Sequence, residues 1–185
     1  MAQIKKKKKF IDVEMPSINK KSQLFAYTIE ELEGRHIKYD LTRILKGKGM
    51  EINFKVSVVK DGDHQSAIAT PTKLKLMPFY LRRMVRKGTN YVEDSFVAKC
   101  KDGDVIIKPF LITRRKVSRA VRKAIRNMAK EELTNELKDK EINELFDDIL
   151  RNKIQKPLSL KLKKIYPLSL CEIRVLEIVK QNNKS

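Results

Sequence analysis

The sequence predicts an α+β protein: an antiparallel sheet, either open or barrel-like, with helices packed on one side and a final strand that rejoins the sheet. Three observations lead there. Apolar and polar residues alternate with period two over 35–41 and 50–58, and β-patterned runs recur at 91–100 and 105–112, as in strands with one buried face. Between 113 and 149 the apolar residues recur at spacings of three and four, as in amphipathic helices. Apolar, β-branched residues return at 168–179, and a strand that follows helices must pair with a sheet begun earlier.

In chain order, residues 1–22 combine the lysine run Lys5, Lys6, Lys7, Lys8 and Lys9 with Pro16 and show no sustained period, which predicts a flexible basic arm that Phe10 could anchor. A first strand is predicted over 23–27, followed by an acidic stretch at 30–33. In the next strand Ile37, Tyr39 and Leu41 share one face, and His36 on the other has no visible partner and receives no catalytic role. After the turn at 46–49, Met50, Ile52, Phe54, Val56 and Val58 point inward. Asp61-Gly62 suits a tight hairpin turn, and 67–76 supplies a returning strand interrupted near Pro71. The motif Lys60-Asp61-Gly62-Asp63 recurs as Lys101-Asp102-Gly103-Asp104, giving a second hairpin. Turn chemistry accounts for these aspartates without a metal.

Residues 78–87 predict a short helix closed by Gly88, with Leu81, Met84 and Val85 inward and Arg82, Arg83, Arg86 and Lys87 outward. A strand then ends in Thr113-Arg114-Arg115-Lys116, and Val117, Ala120, Val121, Ala124, Ile125 and Met128 predict the core stripe of a helix. Arg115, Lys116, Arg119, Arg122, Lys123, Arg126 and Lys130 fall off that stripe, with no acidic residue anywhere in 113–130. The acid-rich segment 131–148 reads as a further amphipathic helix. Its neighbours Asp147 and Asp148 point about 100° apart on a helix, which argues against a nuclease metal site. Pro157 is predicted to end or interrupt the helical region, beside a third basic cluster of Lys156, Lys161, Lys163 and Lys164. In the last strand Cys171, Ile173 and Val175 share a phase that Leu176 and Ile178 abandon, which predicts a bulge or a strand buried on both sides. The expected organisation is a basic arm over 1–22, a single domain over 23–180 and a polar tail over 181–185.

The formal net charge is +19. An enzyme for a neutral metabolite has no physical use for that self-repulsion, whereas a polyanion relieves it, so nucleic acid is the leading partner. Acidic lipid is the competitor, but the sequence shows no long apolar run, secretory signal pattern or lipidation motif, and no membrane or small-molecule partner is expected. Cys100 and Cys171 are isolated, which predicts free thiols in a reducing compartment and neither a zinc site nor a disulfide framework. No convergent carboxylates or His/Lys pair suggest catalysis, and no cofactor is implied. The five Tyr and seven Phe are too sparse to predict a base-stacking platform. The candidate RNA-binding residues are therefore Lys5–Lys9, Arg82, Arg83, Arg86, Lys87, Arg114, Arg115, Lys116, Arg119, Arg122, Lys123, Arg126, Lys163 and Lys164, acting on phosphates.

Several motifs together carry a resemblance. Gly34-Arg35 opening a strand, Tyr80-Leu81-Arg82-Arg83-Met84-Val85-Arg86-Lys87-Gly88, Lys101-Asp102-Gly103, Thr113-Arg114-Arg115-Lys116, and Lys163-Lys164-Ile165-Tyr166-Pro167-Leu168 with Glu172-Ile173-Arg174 follow in order along most of the chain. In this the sequence resembles the archaeal and eukaryotic S-three-Ae ribosomal proteins of the small subunit, also called eukaryotic-type S-one. One departure is Phe10, where that pattern leads one to expect tryptophan. The resemblance implies a non-enzymatic, cytoplasmic constituent of the small ribosomal subunit. Its implied partners are ribosomal RNA on the platform, neighbouring small-subunit proteins, and messenger RNA near its exit. A free-standing RNA-binding module outside the ribosome is the alternative that the charge alone would equally predict.

Overall fold

A computed structural model of the chain describes residues 7–61 and 64–181. Lys5 and Lys6 of the predicted arm, Gly62 and Asp63 of the first predicted turn, and 182–185 of the predicted tail lie outside the described residues. The packing divides into two compact units, Met1–Tyr39 with Ile52–Thr72 and Asp40–Glu51 with Lys73–Ser185.

In the first unit, β1 (Lys9–Met15) and β2 (Lys20–Ala26) form an antiparallel hairpin around the short 3-10 turn Pro16–Ile18. The turn closes because Asn19 adopts φ 50°, a conformation that asparagine tolerates better than most residues. A flexible arm over 1–22 is thus corrected for 9–22: Val13 and Met15 are buried on one face of a strand whose flanking lysines disguise its period. β5 (His64–Leu76) runs parallel to β1, with Val13 opposite Ala67, so the sheet is mixed and not antiparallel. β4 (Met50–Asp61) pairs with β5 and with β3 (His36–Asp40). The path β2-β1-β5-β4-β3 does not return on itself, which excludes the barrel. The alternation read for β3 and β4 is present, with Ile37, Ile52, Phe54 and Val56 buried. Pro71 does not interrupt β5, because it falls between the stretch paired to β1 and the stretch paired to a later strand, where that edge needs no N–H donor.

In the second unit, β8 (Gly103–Thr113) is the central strand. β9 (Leu168–Gln181) pairs antiparallel along its whole length, while β6 (Tyr91–Glu93) and β7 (Phe96–Cys100) share its other edge. Lys73–Lys75 at the end of β5 lies opposite Glu177–Val175 of β9, so the last strand does rejoin an earlier one and this path, too, stays open. A register shift leaves Arg174 unmatched between Ile173 and Val175, a bulge just ahead of the phase change, and the adjacent Val175 and Leu176 are both buried. The β7–β8 turn consists of Lys101 and Asp102, since Cys100 already pairs with Gly103.

Four helices complete this unit. α1 (Pro78–Met84) buries Tyr80, whereas Val85, read as inward, is 39% exposed because the helix has ended before it. α2 (Arg119–Lys138) packs on β6 and β7 through Ile125, Ala129, Leu133 and Leu137. It runs unbroken through the change from basic to acidic sequence, where two separate segments are predicted. α3 (Ile142–Leu150) and α4 (Gln155–Leu162) pack on β9. The helical region is interrupted between α3 and α4, and Pro157 falls in the first turn of α4, where its ring and missing N–H are harmless.

Candidate nucleic-acid interface

The basic segments of the second unit are joined by backbone geometry. Thr113, at the end of β8, is fully buried, and its hydroxyl donates to the carbonyl of Asn90 at 3.0 Å or of Arg115 at 2.7 Å while accepting from the Asn90 N–H at 3.1 Å. Thr113 N–H donates to Asn90 O at 2.9 Å, and Val117 N–H to Asn90 Oδ1 at 2.9 Å. The turn after α1 is fastened in the same way, with Thr89 Oγ1 donating to Arg86 O at 2.7 Å. Arg114 N–H then donates to Pro167 O at 3.3 Å, which ties Arg114-Arg115-Lys116 to the segment following Lys163 and Lys164. One Asn/Thr lock thus holds the Arg86–Lys87 turn and the 114–117 loop in register, and a backbone bond adds the third cluster.

The cations on these segments are exposed. Arg82, Arg86, Lys87, Arg114, Arg115, Lys116, Arg119, Lys123, Arg126, Lys163 and Lys164 face solvent, and among the described residues none forms an ion pair with a carboxylate. The cations that do have acidic partners in this unit, Lys48, Lys73, Lys140, Lys153, Lys161 and Arg174, lie outside the candidate set. Two candidates differ from the rest. Arg83 is held over the Tyr80 ring at 5.5 Å and donates to Gly47 O at 3.2 Å. Arg122 is half-buried, with its Nε lacking a partner. Lys161, part of the third cluster in the sequence, is neutralised by Glu132.

α2 begins with Ser118 as its cap, the hydroxyl accepting from Val121 N–H at 3.4 Å, and has no acidic residue in its first turn. Arg119 and Arg122 therefore meet the positive end of the helix dipole, an arrangement that costs each a few tenths of a kcal/mol up to about 1 unless an anion is present. A phosphate there would find backbone N–H groups as well as side-chain cations. In the first unit Lys7, Lys8 and Lys9 are exposed at the start of β1.

Residues 3–182 match the Ribosomal S3Ae family. The chain belongs to that family. It is also similar to the small ribosomal subunit protein eS1 of Nanoarchaeum equitans (strain Kin4-M), with 27% identity over 128 residues, covering 66% of this chain and 64% of that relative. The match thus spans less than two thirds of the relative's length.

For this S3Ae-family chain, sequence reasoning found the cations but missed what positions them. Asn90 and Thr113 carry no charge signal, although both stand beside basic runs. Also missed was a polar cleft of about 650 Å³ lined by Lys73, Lys75, Lys108 and Arg174 together with Glu93 and Glu177. Two of its four cations are spent internally, on Arg174–Glu93 at 2.9 Å and Lys73–Glu177 at 2.8 Å. Burial and Glu172 push the Cys171 thiol up to about 12, and burial with Asp104 and Asp102 pushes Cys100 up to about 11, so both stay protonated at neutral pH. Among the described residues no group of three or more His, Cys, Asp or Glu side chains could hold a metal ion, and no helix is long and apolar enough to cross a membrane.

Proposed function

We propose that this chain is a structural constituent of the small ribosomal subunit and binds ribosomal RNA through its unpaired cations. The observation that carries the reading is the division of labour among Lys and Arg: those with carboxylate partners hold the fold, and those on the three locked segments have none. A cationic surface mounted on a rigid sheet lowers the mutual repulsion of phosphates where RNA helices crowd together. Such binding is non-enzymatic and needs no cofactor.

Family membership supports the ribosomal setting. The finer reading, a position on the platform near the messenger RNA exit with neighbouring small-subunit proteins and cytoplasmic localisation, follows from the resemblance of motifs along the chain. Sedimentation tests the core of it. The protein should travel with small subunits at moderate salt and leave them only at high salt, because phosphate binding weakens steeply as counterions are added. Recovery mainly in ribosome-free fractions at physiological salt would replace this reading with that of a free-standing RNA-binding module.

A further inference from the structure

The outward face of the β1–β2 hairpin holds aromatic rings in solvent. Phe10 is 70% exposed, Phe25 50% and Tyr27 44%. Phe10 and Phe25 are directly opposed in the ladder, and their ring centroids lie 5.0 Å apart with the planes tilted by 46°. Lys8 Nζ stands 5.2 Å from the Tyr27 ring centroid and 5.9 Å from that of Phe25. These are not displaced core residues, because the other face of the hairpin buries Val13, Met15 and Ala26 and the two-residue period obliges Phe10 and Phe25 to face out. Clustered apolar surface of this kind marks a contact site, whereas single exposed apolar residues need no explanation.

The charge around the rings identifies the occupant. Lys7, Lys8 and Lys9 are exposed and, among the described residues, have no carboxylate partner, but only Lys8 stands beside the rings, since Lys9 lies opposite the buried Ala26 on the other face. The nearby acids are largely occupied: Glu14 pairs with Lys21 at 2.7 Å, and Glu31 accepts from Tyr27 N–H at 3.0 Å. Asp12 shares the outward face one step nearer the turn than Phe10 and acts electrostatically on Lys21 there. An apolar peptide would match the rings but leave the Lys8 ammonium beside them without an anionic counterpart. An unpaired nucleotide matches both, offering a π-face to the rings and a phosphate to Lys8.

We propose that Phe10, Phe25 and Tyr27 form a stacking platform for unpaired RNA bases, with Lys8 on the adjoining phosphate. This rests on the RNA-binding reading above and adds to it a substrate class, single-stranded RNA, and a contact to bases. It also revises the expectation that aromatic residues are too sparse for stacking: the hairpin register gathers three of them at one place.

The chain has no tryptophan, so Phe10→Trp supplies a single reporter in the full-length protein. It should be titrated with an unstructured oligoadenylate, with an RNA duplex of equal phosphate number, and with inorganic polyphosphate. Oligoadenylate should quench the tryptophan, while the duplex and polyphosphate bind through charge without quenching. In the parent background, Phe25→Ala with Tyr27→Ala should weaken oligoadenylate binding roughly five- to a hundredfold and leave duplex binding unchanged. Phe25→Leu keeps apolar bulk without a π-face and guards against loss of folding as the explanation; full binding by that variant would overturn the proposal. So would equal quenching by duplex and oligoadenylate, bound oligoadenylate that does not quench, or quenching by small-subunit proteins in the absence of RNA. Failure of all three polyanions to bind would instead sink the RNA-binding reading beneath it.

Discussion

Lys48 Nζ lies 2.6 Å from Glu172 Oε2, with each side chain only 12% exposed. Lys48 also donates to Asn152 Oδ1 at 2.9 Å, so the turn before β4 is fastened to β9 and to the segment after α3 by one ammonium group. Removing one member of such a pair strands the other charge away from water. Lys48→Met alone should cost about 3–5 kcal/mol, and Lys48→Met with Glu172→Met much less than the two single changes added together. Denaturant unfolding of the four proteins checks this, and simple additivity would mean that the pair is not coupled.

The Asn90–Thr113 lock should matter to RNA binding without carrying charge. Thr113→Val keeps the shape and removes the hydroxyl that Asn90 and Arg115 share, leaving buried polar groups unsatisfied at a cost of about 1–3 kcal/mol. RNA affinity should fall as the 114–117 loop loses its position, while the dependence on salt keeps its slope because every cation remains. A changed slope with unchanged stability would contradict the assigned role.

The free cations of α2 and the loop before it should behave in the opposite way. Replacing Arg115, Arg119, Lys123 and Arg126 by Gln removes exposed charges and no core atoms. Stability should hold or rise by a few tenths of a kcal/mol, since Arg119 no longer opposes the helix dipole, and the log–log salt slope of RNA binding should flatten by roughly three to four units if each meets one phosphate. Ile125→Ala, at a fully buried position, should cost about 2–5 kcal/mol and leave the slope of the folded protein alone. A quadruple variant with parental affinity and slope would assign the basic face to structure.

Asp148 gives a pH test. Lys140, hydrogen-bonded at 2.6 Å, and Lys153 at 3.3 Å hold its carboxyl below the usual aspartate value. A depressed value in the folded protein means that the stabilisation is present above the unfolded value of about 3.9 and is lost as pH falls through the lower folded one. Asp148→Asn should therefore destabilise by about 1 kcal/mol at neutral pH, and the gap to the parent should close below both values. A gap that persists in acid would point to shape, not charge.

The parts of the fold that the sequence reveals are those where one face alone is buried. β3 and β4 alternate cleanly, and Ile125, Leu133 and Leu137 mark the packed side of α2. Small residues misled: Ala120 and Ala124 continue the stripe but are exposed, while Ala129 is buried. A side chain of one carbon gains too little from burial to announce where it sits. The β1–β2 hairpin was hidden because Lys9, Lys20 and Lys21 occupy its ends, and the parallel pairing of β1 with β5 is fixed by residues far apart in sequence. In the candidate interface, charge reveals the clusters, yet which cations are free depends on distant partners such as Glu132 for Lys161 and Glu93 for Arg174.

β8 is hydrogen-bonded on both edges, but its partners are made at very different times. β6 and β7 precede it along the chain, whereas β9 follows only after residues 114–167. During synthesis, α2 therefore emerges before the sheet that carries it can be completed, and β8 keeps one edge bare until 168–181 has been made. That edge is a template for any passing strand, and closing so long a loop slows the search for the right one. The same interval leaves the unpaired cations of α2 without a finished mount, so a polyanion that arrives early meets a partly folded chain and can select its conformation as well as bind it.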